Sequence, residues 1–160
     1  MLPICNICAK TGVLCSVCES KLNENKISEL DIELSLELYK IDNEISFERA
    51  IDTKNFIVIL TNKRDVGKII GKDGAHIREL SKKFRKQIRV IGTGDLRDTI
   101  NDFIAPAHIR GINIVYKLDG TKIRRIKVDK KDIEKLRMDV KDIERLITSL
   151  TDNPVEINFE

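Results

Sequence analysis

Four cysteines lie close to the start of this 160-residue chain, and their spacing, C-x2-C-x6-C-x2-C, suits metal binding. They are Cys5, Cys8, Cys15 and Cys18. Each C-x-x-C pair can direct two thiolates at one ion while nearby backbone amides donate to sulfur, and two pairs supply the four ligands of a tetrahedral structural zinc. A turn at Thr11 and Gly12 would bring the pairs together. The spacing therefore predicts one structural zinc ion, and four thiolates leave no open position for metal catalysis.

Disulfide bonding and redox activity are two alternative roles for these cysteines. Two disulfides require an oxidising compartment, but residues 1–8 lack the basic and apolar regions of a secretory signal. No apolar run approaches the length that a membrane span needs. We therefore expect a cytoplasmic protein without membrane contact. A redox-active C-x-x-C is disfavoured because no thioredoxin-like βαβ pattern surrounds it.

A second candidate site lies at residues 66–77, VGKIIGKDGAHI. Two glycines three residues apart, Gly71 and Gly74, allow a sharp bend and close approach to a ligand. Amides at the start of the following helix, together with its dipole, favour phosphate. Lys72 adds a cation at the loop tip, whereas Asp73 opposes phosphate. The chain has no G-x-x-x-x-G-K-[ST] motif, so this is not a P-loop; a plain turn between helices is the alternative.

Charge is unevenly distributed along the chain, although the net charge is only +3. Residues 19–48 contain nine acids and three bases, which gives −6, whereas residues 63–89 contain ten bases and three acids, which gives +7. A basic patch beside the glycine loop is typical of a phosphate-binding face. A solvated helix face with alternating charges is the alternative.

The elements that must position these residues follow from the apolar periodicity of the first half of the chain. It predicts a helix over 28–43, strands over 45–51 and 56–60, a short apolar segment over 66–70, a helix over 75–85 and a strand over 87–91.

The second half repeats this order at a constant offset, which aligns Ile77 with Ile143 and Leu80 with Leu146. The predicted segments are a helix over 96–104, a hairpin over 109–118 and 122–128 around Asp119 and Gly120, short and long helical pieces over 133–136 and 140–150, and a strand over 155–159. The chain is therefore predicted to be α+β, with two αββααβ units.

The pattern V-G-x-I-I-G-x-x-G-x-x-I, set in this order of elements, resembles the signature of the KH domain. Residues 99–107, TINDFIAPA, resemble the joint between the paired KH domains of NusA. With a cysteine segment in place of the bacterial N-terminal domain, the chain resembles the short archaeal NusA-like proteins. The resemblance implies a zinc segment over 1–26 and two tandem type II KH units, over 27–93 and 94–160.

In a KH domain the glycine loop clamps the backbone of about four single-stranded nucleotides. Three isoleucines of this chain would form an apolar floor under the bases, and several basic residues would offset Asp73. The expected RNA-binding residues are Gly67, Lys68, Ile69, Ile70, Gly71, Lys72, Asp73, Gly74, His76, Ile77, Arg78 and Lys82. The second unit has no glycines at the corresponding residues 137–140 and is expected to be degenerate. It would be structural, or would extend the RNA path with Arg110, Lys122, Arg124 and Arg125.

The resemblance implies a single-stranded RNA-binding factor in transcription elongation or termination, with RNA polymerase as partner. One alternative is ribosome biogenesis or translation, with ribosomal particles as partner, and another is a protein-interaction scaffold that has lost RNA binding. No small-molecule substrate is expected. Catalysis is not expected either, because no nucleophile and base accompany the two histidines, His76 and His108.

Overall fold

The chain folds into two compact units, Met1–Thr93 and Gly94–Glu160. The computed structural model describes residues 2–53, 56–94, 96–136, 138–151 and 153–160. Within these ranges, no helix is both long enough and apolar enough to cross a bilayer. Each unit combines helices with one three-stranded sheet, so the predicted α+β class is confirmed.

In its described residues, the first unit contains five α-helices and three strands, in the order predicted from residue 28 onwards. They are α1 (Asn6–Thr11), α2 (Ser16–Asn23), α3 (Glu29–Ile41), β1 (Arg49–Asp52), β2 (Phe56–Asn62), α4 (Lys63–Ile70), α5 (Ala75–Phe84) and β3 (Gln87–Thr93). The sheet order is β1-β2-β3, with β1 antiparallel and β3 parallel to β2.

The cysteine segment shares the core of this unit. Leu34 and Leu38, on the apolar stripe of α3, are fully buried in one cluster with Cys8, Cys18 and other apolar residues. Helix α3 begins with a reciprocal capping box, in which the Ser28 hydroxyl and a carboxylate three residues later each accept the other residue's amide. Residues 2–23 are therefore held by tertiary packing as well as by their own turns.

Strand β1 is shorter than the predicted segment 45–51. The Ser46 hydroxyl donates to the Asp65 carboxylate over 2.5 Å, and the Thr61 hydroxyl donates to the Ser46 carbonyl over 2.7 Å. These side-chain bonds hold the start of the segment as a buried loop that connects α3 to the sheet.

Helix α4 extends three residues further toward the N-terminus than the predicted segment 66–70. The Asn62 side chain accepts the Asp65 amide at 2.9 Å and donates to the Asp65 carboxylate at 2.9 Å, which caps the helix. An ideal Cβ built at Gly92 of β3 would lie 3.1 Å from a methyl of Val66 and 3.3 Å from the Lys63 Cα. The helix therefore packs closely on β3 above a glycine.

The second unit has the same order of elements. They are α6 (Leu96–Ile104), β4 (Ile109–Tyr116), β5 (Lys122–Val128), a 3-10 helix (Lys130–Lys135), α7 (Val140–Thr151) and β6 (Val155–Phe159). The sheet order is β4-β5-β6, and fully buried residues from α6, β5 and α7, including Phe103, Ile126 and Ile143, form its core. Arg137, the first of the four residues expected to replace the glycine loop, lies outside the described residues.

Strand register repeats between the two units. Val58 pairs with Arg89 in the parallel half of the first sheet, and Arg124 pairs with Val155 in the second. The step from Val58 to Arg124 equals the step from Arg89 to Val155, and both equal the step from Ile77 to Ile143. The apolar repeat in the sequence therefore reflects two copies of one framework.

Candidate nucleic-acid interface and metal centre

The glycine loop bends sharply between α4 and α5. Gly71 has φ +77° and ψ 171°, Lys72–Gly74 form one 3-10 turn, and Gly74 has φ +76°. Asp73 also adopts the left-handed region, with φ 56° and ψ 26°, which Asp tolerates better than most residues. The loop conformation therefore explains both glycines and the short polar residue between them.

The His76 side chain lies against the first glycine. An ideal Cβ at Gly71 would lie 2.6 Å from the His76 Cγ, and the His76 Nδ1 lies 2.9 Å from the Lys68 carbonyl oxygen. The imidazole thus ties the last turn of α4 to the first turn of α5. His76 is predicted from the sequence to contact RNA. In the structure, its side chain contacts the Lys68 carbonyl of α4 and so connects the two helices.

The Arg78 guanidinium, on α5, hydrogen-bonds to the backbone of the loop. Its Nη1 donates to the Asp73 carbonyl over 2.5 Å and would lie 3.6 Å from a Cβ at Gly74. The side chains of Lys72 and Asp73 are exposed at the tip, and Lys72 forms no ion pair with the described residues. Arg78 therefore brings a positive charge next to Asp73.

The start of α5 has no side-chain cap in the described part of the chain, and Gly74 is its N-cap. The Gly74 and Ala75 amides donate to the Gly71 and Lys72 carbonyls. A phosphate placed here would therefore meet the positive end of the helix dipole beyond these two amides, with Lys72 close by in sequence.

The basic stretch around the loop is partly neutralised on the side of α3 and β1. Lys83 pairs with Glu37 of α3, and Lys86 pairs with Asp52 of β1. Lys82, one helical turn after Arg78, is exposed and forms no ion pair with the described residues. The positive charge left for a phosphate is therefore concentrated at the glycine loop and along α5.

Asp65 is 2% exposed and stabilises the turn that leads into α4. Its burial raises the pKa, but hydrogen bonds from Ser46 and Asn62 and two nearby basic side chains outweigh burial and hold the pKa of Asp65 below its ordinary value. The Asp65 carboxylate is therefore ionised at neutral pH, and through its bond to Ser46 it connects the loop before β1 to α4.

The predicted apolar floor needs one correction. Ile69 is fully buried in the core of the first unit, so it has no surface with which to contact a base. Ile70 and Ile77 are half-buried and keep exposed surface beside the bend. Ile69 instead anchors the last turn of α4, because helical periodicity points it toward the sheet.

In the second unit the predicted basic residues lie on the hairpin, Arg110 on β4 and the other three on β5. The Arg124 guanidinium donates to the Asn153 side chain. His108 is exposed, and its backbone amide donates to the Asp132 carboxylate over 3.4 Å. This hydrogen bond involves the backbone and not the imidazole.

The four cysteine sulfurs form one cluster, all within 4.8 Å of one another. Cys5 and Cys15 are the N-caps of α1 and α2, and each second cysteine is the third residue of its helix. The Cys15 amide donates to the Cys8 sulfur at 3.0 Å, and the Cys5 amide donates to the Cys18 sulfur at 3.4 Å. Each pair therefore stabilises a sulfur of the other pair.

This donor set fits a tetrahedral metal ion. Zinc–thiolate bonds of about 2.3 Å place sulfurs about 3.8 Å apart, and the Cys5 sulfur lies 3.3 Å from that of Cys8 and 4.0 Å from that of Cys15. The Cys18 amide and two neighbouring thiols lower the pKa of Cys15 to about 6. The Cys15 amide lowers the pKa of Cys8, but burial and the neighbouring thiols outweigh it and raise that pKa to about 12. Thiolates this close need a cation to ionise together, and a divalent metal ion supplies one.

Three positions that hold the site were not predicted from the sequence. Asn62 and Asp65 have the spacing of a helix N-cap and its third residue, so the capping pattern could have identified them. Gly92 gave no signal, because its role depends on how closely α4 packs over β3.

Two comparisons with known proteins found similarities to part of this chain. Residues 18–93 match the family model described as NusA-like first KH domain. A similar solved structure is the crystal structure of APE1850, which has a TM-score of 0.61 and 23% sequence identity over 77% of this chain and 92% of that chain. At this identity the likeness concerns the fold alone. The search of curated proteins gave no match.

Proposed function

We propose that this protein binds single-stranded RNA and acts as a transcription elongation or termination factor. The match of residues 18–93 to the NusA-like first KH domain, a family of RNA-binding domains, supports the proposal. The observation that carries the proposal is the uncapped start of α5 next to the bend at Gly71 and Gly74. This arrangement would present the positive end of the α5 dipole, without a capping side chain, to a sugar-phosphate strand.

In the proposed complex the loop residues from Gly71 to Gly74 approach the backbone of about four nucleotides. Lys72 contacts a phosphate, and Arg78 offsets the charge of Asp73. The exposed parts of Ile70 and Ile77 contact bases. Gly67, Lys68, His76 and Lys82 complete the proposed RNA-binding set.

Lys72→Asp tests the loop as the clamp. RNA binding through phosphates weakens as salt rises, so affinity for a short single-stranded RNA is measured by fluorescence anisotropy at two salt concentrations. We expect a loss of about tenfold or more and a shallower salt dependence. Lys131→Asp, which makes the same charge change at an exposed residue of the second unit, is the control. Equal affinities of Lys72→Asp and the unsubstituted protein at both salt concentrations would rule out the loop.

We also propose that Cys5, Cys8, Cys15 and Cys18 bind one structural zinc ion. Four thiolates would complete a tetrahedral zinc ion and leave no coordination position for a substrate, so the ion would serve folding and not chemistry.

The cellular process is tested by the partners that copurify with the protein. As a transcription factor, the tagged full-length chain should retain RNA polymerase after treatment with ribonuclease, whereas recovery of ribosomal particles alone would contradict the proposal. Mass spectrometry of the purified complexes distinguishes the two results.

A further inference from the structure

The β4–β5 hairpin extends beyond the rest of its sheet. Strand β6 begins where Val155 pairs with Arg124, but the hairpin continues through two more pairs, the last of which joins Tyr116 to Lys122. Its end carries large apolar residues in solvent: Ile114 is 53% exposed, Tyr116 is 67% exposed and Leu118 is fully exposed. Exposed apolar side chains close together on a small domain often mark a binding surface.

One face of this hairpin combines these apolar side chains with cations. Directly paired residues of antiparallel strands point to the same side, so Ile114 shares a side with Arg124 and Tyr116 shares a side with Lys122. The Lys122 ammonium lies 5.6 Å from the centre of the Tyr116 ring, within the range of a cation–π contact. An aromatic face and a positive charge are thus held side by side.

The charge of the hairpin indicates which ligand this face suits. Residues 110–127 contain six basic residues and one acid, Asp119, whose carboxylate accepts the Thr121 amide at 2.9 Å and shapes the turn. On the opposite face, Arg125 and Lys127 lie 4.0 Å and 3.7 Å from glutamates.

Two cations on the face of Tyr116 have no such acidic partners within the described ranges: Lys122 forms no ion pair, and Arg124 bonds to a neutral amide. Lys117 follows Tyr116 at the end of the hairpin, where it forms no ion pair but interacts electrostatically with Asp119. An apolar protein surface would leave these charges unmatched. A single-stranded nucleic acid offers both flat rings and phosphates, which is the combination that such surfaces bind.

We propose that the β4–β5 hairpin is a second contact for single-stranded RNA, in which a base stacks on Tyr116 and phosphates bind Lys117 and Lys122. The inference rests on the proposed function for the class of ligand, but not on the glycine loop. The second unit would then bind RNA through its hairpin, although it lacks the glycines of the first.

Tyr116→Ala and the double substitution Lys117→Gln, Lys122→Gln test this contact in the full-length, zinc-bound protein. The probe is a uridine-rich RNA of about 15 nucleotides. Loss of one stacked base should weaken binding about tenfold, while Tyr116→Phe should bind normally. Loss of two phosphate contacts should reduce the slope of log affinity against log salt by about 1.4. Because Tyr116 is exposed, its replacement should not unfold the protein. Circular dichroism checks that each variant is folded.

Ile133→Ala and Lys131→Gln, at exposed positions elsewhere in the second unit, are matched controls. Photocrosslinking with 4-thiouridine RNA should label the peptide that contains Tyr116. Normal RNA affinity and a normal salt slope in the hairpin variants would overturn the inference. The inference would also be overturned if these variants bound RNA normally but failed to bind polymerase, because the hairpin would then contact protein.

The outcomes separate this inference from the glycine-loop clamp. If Lys72→Asp weakens binding and the hairpin variants do not, the loop stands and the hairpin contact is rejected. If the hairpin variants weaken binding and Lys72→Asp does not, the hairpin stands and the loop clamp is rejected. If the unsubstituted protein does not bind the RNA, both are rejected.

Discussion

At Gly71 the backbone is left-handed, and the His76 ring occupies the space where a side chain would begin. Gly71→Ala should therefore strain φ and displace the imidazole from the Lys68 carbonyl. Residues held in such unfavourable conformations cost on the order of 1–3 kcal/mol. We expect a loss of stability of this size in urea unfolding, together with weaker RNA binding.

Gly67→Ala is the matched control for stability. Gly67 lies within α4, and an added methyl would meet nothing within 4 Å. Alanine in a helix interior is about 0.5–1 kcal/mol more favourable than glycine, so this variant should be slightly more stable. Equal stabilities of the two variants would contradict the described packing of His76 on Gly71.

Also at the scale of single residues, Asp65 should make the free energy of unfolding depend on pH in the acidic range. Its folded pKa lies below the unfolded value, so its contribution is present above the unfolded pKa and is lost as pH falls through the folded pKa. Asp65→Asn should lower stability by about 1–3 kcal/mol at neutral pH, because a buried bonded acceptor is changed, and should flatten the decline in stability on acidification. Urea unfolding from pH 7 down to pH 3 measures both effects. Glu79→Gln, at an exposed carboxylate of α5, should leave the pH profile unchanged.

At the scale of elements, α4 connects the sheet to the bend, and its position depends on Gly92. Gly92→Ala places a methyl 3.1 Å from Val66 and 3.3 Å from the Lys63 backbone. Because backbone cannot move aside easily, we expect a destabilisation of about 1–3 kcal/mol and altered amide shifts in the glycine loop by NMR. Gly111→Ala, where nothing lies within 4 Å, should have neither effect, and an unperturbed loop in Gly92→Ala would show that α4 adjusts independently.

Elements with long apolar periodicity were predictable from the sequence, and the others were not. Helix α3 and the β4–β5 hairpin were found because a buried stripe and a strong turn signal mark them. Helices α1 and α2 have six and eight residues, too few for periodicity to show. The start of β1 was predicted too early because Ser46 forms side-chain bonds that alternation of residue types does not reveal.

The candidate site was predictable where residue type alone sets the chemistry. Cysteine spacing predicted the sulfur cluster, and the paired glycines predicted the bend. Packing decided the rest: Ile69 lies in the core instead of under a base, and Gly92 provides the space for α4. These depend on contacts between distant parts of the chain, which local patterns do not encode.

At the scale of the whole molecule, loss of the metal should affect the first unit selectively. Structural zinc contributes on the order of 10 kcal/mol in small zinc domains, comparable to the total stability of a domain. We expect Cys15→Ser, or a chelator, to remove zinc measured by mass spectrometry and to lower protection from hydrogen exchange in α3. Helix α7 of the second unit should keep its protection.

Ser16→Ala, beside the same cysteine, is the control and should retain one zinc per chain. If Cys15→Ser leaves hydrogen exchange in α3 unchanged, the cysteine cluster does not stabilise the core that it shares with Leu34 and Leu38.

Two of the sulfurs are buried in that shared core, while those of Cys5 and Cys15 reach the surface. An oxidant that reaches the outer pair would weaken metal binding and thereby loosen the hydrophobic cluster beneath it. The glycine loop belongs to the same folded unit. Under the proposed function, the supply of zinc and the redox state of the cell would thus set how long the protein persists in a form able to bind RNA.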